Sequence, residues 1–135
     1  TDARLTYTPL ETLAKVLVRD TLKAHPRLLG LKLFGRLPGK EGLHIVASDV
    51  AGEVGQPGHQ AETDVFAKDV FFFGRERTFV TVTMGLRDRN GDTMGVLRFM
   101  LTDFTGQTEM TAISRAITIR EKMEERVRSA KSLLE

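Results

Sequence analysis

Cysteine is absent from the 135 residues, and so is tryptophan. Without thiols there is no disulfide, no thiolate nucleophile and no cysteine-ligated metal. The absence leaves the compartment open, since cytosol and bacterial periplasm both accommodate such a chain. Long apolar runs are also missing. None approaches the ~18 residues of a membrane span, and no stretch reads as a signal peptide. The sequence opens on Thr1 rather than Met, so an upstream segment (a cleaved signal, a tag or an excised anchor) is expected. Blocks of like charge are lacking as well. The net charge is only +2, and basic residues are not interleaved with aromatics, which argues against nucleic acid as a partner. The charge is nevertheless uneven. Residues 1–42 carry eight Lys and Arg against four acids, and residues 43–69 carry one against five.

What is present is an ordinary globular composition, 41% hydrophobic and 28% charged, in a length that suits one domain spanning 1–135. The strongest local signal is the stretch from Phe79 to Phe104, where two apolar runs flank Arg89-Asn90-Gly91-Asp92. Asn-Gly favours a two-residue type I′ hairpin loop. That loop sets Val80 opposite Leu101, Val82 opposite Phe99 and Met84 opposite Leu97 on one apolar face. Thr81 opposite Met100 and Thr83 opposite Arg98 form a mixed face. Elsewhere Thr8-Pro9 can open a helix, with Leu10, Leu13, Ala14, Leu17 and Thr21 on one side and an end before Pro26. Leu29–Phe34 and Leu43–Ser48 read as strands around a Gly/Pro turn. Residues 49–59 are the longest irregular segment, and Ala61–Asp69 reads as a short helix with Thr63 as its cap. Thr108 opens a long helix carrying Ile113, Ala116, Ile119, Met123, Val127, Ala130 and Leu134 as its apolar stripe. The predicted fold class is α+β: a single, mostly antiparallel sheet (28–104, with capping loop 49–77) flanked by an N-terminal helix (1–27) and a C-terminal helix (107–135). The terminal helices pack on the apolar face, and the 49–77 segment covers the mixed one.

Two segments, His44–Gly58 (HIVASDVAGEVGQPG) and Phe79–Leu101 (FVTVTMGLRDRNGDTMGVLRFML), resemble the extracytoplasmic Cache sensor domains, relatives of PAS. The matching pieces are Ile45–Asp49, Gly52–Gly55, Leu86–Gly91 and Met94–Leu97. The resemblance follows the order of elements from about residue 10 to 104. It implies a non-enzymatic small-molecule-binding module, periplasmic or secreted, with its pocket between the sheet and the irregular segment. Two departures stand out: neither a membrane span nor an output domain accompanies the chain. A cytoplasmic PAS sensor with a bound cofactor and a pocketless PAS-like interaction domain are the competing readings.

The candidate binding residues follow from the mixed face. Arg98, in mid-strand, needs a partner for its guanidinium. That partner is either a small organic anion or an acid of the 49–69 segment. Thr81, Thr83 and Met100 form the wall beside it. Phe71, Phe72, Phe73 and Phe79 are candidates for pocket lining or plain core, and Arg75 is a candidate at the hairpin end. His25, His44 and His59 match no metal-ligand spacing, so no metal or cofactor is expected. Ser48 and His44 are about 13 Å apart along a strand, too far for a nucleophile and its base. No Gly-x-Ser-x-Gly element occurs, and the glycines at 52–58 lack the Lys-Ser/Thr of a phosphate loop. Enzymatic activity is not expected. The long C-terminal helix is a candidate seam for a homodimer, with Leu133 and Leu134 projecting beyond the sheet.

Overall fold

The computed structural model describes residues 12–37, 39–127 and 133. The elements run α1 (Leu13–Ala24), β1 (Leu28–Gly35), β2 (His44–Ser48), a 3-10 turn (Ala51–Glu53), α2 (Gln60–Lys68), β3 (Phe72–Arg75), β4 (Phe79–Arg87), β5 (Thr93–Thr102) and α3 (Glu109–Glu124). The five strands form one antiparallel sheet in the order β2-β1-β5-β4-β3. The α+β class and the helix-flanked antiparallel sheet therefore hold.

The central hairpin has the register that the sequence specifies. Val80 pairs with Leu101, Thr81 with Met100, Val82 with Phe99, Thr83 with Arg98 and Met84 with Leu97. The connecting turn is different from the expected type I′ loop. Gly91 alone adopts positive φ at the tip, 86°. The amide of Gly91 donates to Asp88 O, and that of Asp88 to Asp92 O. The loop is thus a three-residue turn closed by a left-handed glycine. Asp88 Oδ1 selects it by accepting from the amides of Asn90 and Asp92, at 2.8 and 3.0 Å. A bulge then restores the register: Arg87 faces Thr93 while Leu86 faces Gly95.

One sheet face carries the main core. Val80, Val82, Met84, Leu97, Phe99 and Leu101 are all buried, packed with Ala14, Leu17 and Val18 of α1 and Ala112, Ile113 and Ala116 of α3. Leu31 and Leu33 join them. Leu29 does not, and is 47% exposed, because a bulge between Leu28 and Gly30 shifts the alternation by one residue. Thr12 caps α1 through Lys15 N, at 3.3 Å. The expected cap at Thr8-Pro9, and Leu10 with it, lie outside the described residues. Thr108 caps α3 as read, accepting from Thr111 N at 3.1 Å.

The end of the chain corrects a second expectation. Helix α3 runs to Glu124, and Leu133 is buried in the main core at 2% exposure. Leu133 therefore does not project as a seam. Residues 128–132, 134 and 135, including Ala130 and Leu134 of the expected stripe, lie outside the described set.

The second face is covered by α2, over a smaller cluster of Phe34, Leu43, Ile45, Val65 and Val96. The cap of α2 is His59, not Thr63, whose hydroxyl instead donates back to His59 O. Its C-cap is Asp69, in the left-handed region at φ 54°. The Asp69 carboxylate takes both its bonds from Arg87 Nη2, at 2.8 and 3.0 Å. The Arg87 amide in turn donates to Glu124 at the end of α3, at 2.7 Å. Through Arg87, the ends of α2 and α3 are strapped to the same point of the sheet.

Gly95 lies in the central strand, where a Cβ would stand 2.8 Å from the backbone oxygen of Phe34. A backbone neighbour cannot swing aside. Gly95→Ala is expected to destabilise the fold by about 2 kcal/mol through overpacking. The check is the midpoint of urea unfolding at unchanged slope.

Candidate functional site

A helix of nine residues is about 13 Å long, whereas five strands span about 19 Å. Helix α2 therefore cannot cover the whole second face. It lies over the β1–β5–β4 region and leaves a cleft toward edge strand β3. The cleft is about 270 Å³ and is bordered by Glu62, Phe72, Gly74, Thr81, Thr83 and Arg98.

Its floor is electrostatic. Glu62 is wholly buried, an unusual place for a carboxylate. One oxygen accepts from the His59 amide at 2.8 Å, and the other pairs with Arg98 Nη2. Arg98 keeps 27% of its side chain exposed, and its guanidinium lies 5.3 Å from the centre of the Phe34 ring. Among the described residues, Glu62 is its only protein acceptor. The remaining N–H groups are free to meet water or a ligand at the cleft. The mid-strand arginine thus has the internal acidic partner weighed as one reading, and retains donors for the other.

The sequence-predicted residues divide. Arg98, Thr81 and Thr83 come together at the cleft. Met100 and Phe79 lie on the same sheet face by alternation, half-buried, outside the lining. Phe73 borders the cleft, but pairs with Val82 and packs its side chain with the main core. Arg75 points to that other face too, binding Asp103 Oδ2 at 2.9 Å and the backbone oxygen of Gln107. Phe73 and Arg75 followed Phe72 and Gly74 in sequence, and a period of two sends alternate residues to opposite faces.

Sequence reasoning missed Glu62 and Gly74; Phe72, one of its aromatic candidates, does border the cleft. The signal for Glu62 was present in its spacing. It stands three residues after His59, the position from which a glutamate reaches back to a helix start. Histidine is a poor flag for a cap, so the box went unread. Gly74 lies against Thr81, where a Cβ would meet Oγ1 at 2.8 Å, so the bare backbone keeps the cleft open there.

Larger grooves lie on the helical side. One of about 630 Å³ is bounded by Lys15, Arg19 and Lys23 of α1 and by Asp49. Asp49 already accepts from Leu31 N and faces Lys32, which also bridges to Glu53 at 2.6 Å. That bond holds the Glu53 carboxyl below its usual range. Size alone does not choose the site; the buried charge at the smaller cleft does. Among the described residues, no three His, Asp or Glu side chains gather closely enough to hold a metal ion, and no helix is long and apolar enough to cross a membrane.

No protein-family model matches the chain, and no curated protein does. Among solved structures, the fold is similar to the GAF domain of a phosphoenolpyruvate-protein phosphotransferase from Acinetobacter. The TM-score is 0.57, with 13% identity, covering 93% of this chain and 92% of that one. A type II free methionine-R-sulfoxide reductase from Thermoplasma acidophilum aligns at TM-score 0.49 and 10% identity, over 85% and 92% of the two chains. The likeness shows a GAF-like fold, related to PAS. The PAS relationship read from the sequence is met at that level, with GAF rather than Cache domains as the structural neighbours.

Two predictions follow from this geometry. Removing Arg98 strands a buried carboxylate, whereas removing the Glu62 charge leaves a partly exposed guanidinium that water can reach. Arg98→Met is expected to cost about 3 kcal/mol and Glu62→Gln only about 1 kcal/mol; equal losses in chemical unfolding would contradict the asymmetry. The second concerns Asp103, whose carboxyl is held below its usual range, first by Gln107 and then by the Phe104 amide and Arg75. A lowered folded-state pKa gives stability that is present above the unfolded pKa and lost as pH falls through the folded one. Asp103→Asn should flatten the fall in melting temperature on acidification from about pH 5 to pH 3.

Proposed function

We propose that the chain is a sensor-type, non-enzymatic domain that binds a small organic anion in the cleft between α2 and strands β3, β4 and β5. The observation that carries this reading is Arg98: a guanidinium fixed by a buried carboxylate and an aromatic face, with donors to spare at the cleft. The hydroxyls of Thr81 and Thr83 flank it on the neighbouring strand. The volume of about 270 Å³ lies just below the ~300–1,000 Å³ usual for drug-sized ligands, which favours a ligand of few heavy atoms such as a short carboxylate. A fixed guanidinium suits a planar carboxylate, because its N–H groups match the carboxylate's two oxygens.

The extracytoplasmic, Cache-type assignment rests on the 44–58 segment of the sequence and belongs to this proposal. The competing reading, a pocketless domain that dimerises through its C-terminal helix, draws less support. Leu133, one of its two projecting residues, is buried in the protein's own core.

Native mass spectrometry of the purified protein, before and after denaturation, should reveal a low-mass adduct lost on unfolding. An NMR titration with acetate, pyruvate and succinate localises binding. At least one should move the amides of Thr81, Thr83 and Arg98. Thr83→Val, which keeps the side chain's shape and removes its hydroxyl, should weaken that ligand roughly fivefold. An adduct-free spectrum, together with amides that none of the three carboxylates moves, would sink the proposal.

A further inference from the structure

On the opposite side of the sheet, where the end of α1 meets α3, a groove of about 500 Å³ has an unusual lining. Its floor is apolar and well buried: Leu28, Leu101 and Ile119 are each less than a tenth exposed. Three residues with cationic or titratable side chains, His25, Arg27 and Arg115, stand around it, and no carboxylate lines it. Among the described residues, neither arginine forms an ion pair with an acid. Arg115 bonds only neutral acceptors, the backbone oxygen of Thr102 at 3.2 Å and Gln107 Oε1. Burial, and then the charge of Arg27, lower the pKa of Arg115. Like charges near a dry floor cost free energy unless something of opposite charge answers them. The α1–Asp49 groove differs on this point, because it has an acid in its lining.

We infer that this groove is a second ligand site, separate from the α2 cleft, for an amphiphilic organic anion whose acidic group meets Arg27 and Arg115 while its apolar body lies on Leu28, Leu101 and Ile119. The volume falls inside the range of small-molecule pockets. Both halves of the ligand are needed. A bare anion leaves the apolar floor in water, and a neutral chain brings the two guanidinium groups no opposite charge. The site faces the helices, whereas the α2 cleft faces the other side of the sheet, so occupancy of the two can be told apart residue by residue.

The test is an NMR titration of the full chain with hexanoate, hexanol and sulfate separately. Hexanoate should shift the amides of Arg27, Leu28, Thr118 and Ile119. Hexanol and sulfate at the same concentrations should bind at least about tenfold more weakly. Arg27 is exposed, and among the described residues its side chain makes no hydrogen bond or ion pair; its backbone oxygen accepts from Thr102. Arg27→Gln should therefore leave the melting temperature unchanged while weakening hexanoate roughly three- to tenfold. Equal affinity for hexanol would remove the charge from the argument, and equal affinity for sulfate would remove the apolar floor. Shifts confined to Thr81, Thr83 and Arg98 would overturn this site while favouring the α2 cleft. Shifts at neither place, or an unaffected Arg27→Gln variant, would overturn it outright.

Discussion

A carboxylate with no exposed surface must be answered inside the protein, and Glu62 is answered by Arg98. That single pair fixes α2 to the middle strand of the sheet. It also orders the arginine, whose guanidinium lies over the Phe34 ring. The second, smaller core then assembles around the same contact: Val65, one helical turn beyond Glu62, packs with Phe34, Leu43, Ile45 and Val96. Remove the pair and the middle of the helix keeps only a thin apolar footing on the sheet. The cleft exists because this one polar contact sits at the border between the part of the sheet that α2 covers and the part that it cannot reach.

The two faces of the sheet solve different problems. The helical face buries a continuous layer of aliphatic and aromatic side chains and accounts for most of the apolar surface removed from water. The α2 face buries less, accepts charge, and places glycine and threonine where larger residues would close the space. Such a division is common where one side of a sheet must hold the fold and the other must leave room. The groove by Arg27 and Arg115 shows that the helical face, too, is incomplete at its edge.

The sheet was legible in the sequence wherever alternation was clean. Val80 to Met84 and Leu97 to Leu101 gave the register, because a slip of one residue would have exposed an entire apolar set. Alternation failed at the bulges. Leu29 looked like its neighbours Leu31 and Leu33, and one extra residue turned it outward. The hairpin turn was misjudged for a related reason. Asn90-Gly91 carries a strong local preference, but Asp88 two positions before Asn90 supplies a carboxylate that captures two amides and favours the longer loop. In the site, Arg98 announced itself as a charge in an apolar strand, and its partner was sought among the right acids. Which acid answered it depended on where α2 docks, a tertiary fact that no local pattern encodes. Arg75 and Phe73 were placed with the wrong neighbours because edge strand β3 was read as an aromatic run, without a register of its own.

Helix α2 is held at three places: just ahead of its start, where Gly58 donates to Leu43 O at 2.8 Å; at its first turn, by Glu62; and at its exit, by Asp69 on Arg87. A cover pinned at both ends and in between does not swing like a lid. A ligand of the proposed kind would meet space that is already formed. On the proposed reading, capture would be paced by encounter and orientation rather than by a preceding opening step. If the cleft binds as proposed, its occupancy would follow the surrounding concentration with no delay beyond the ligand's own residence time.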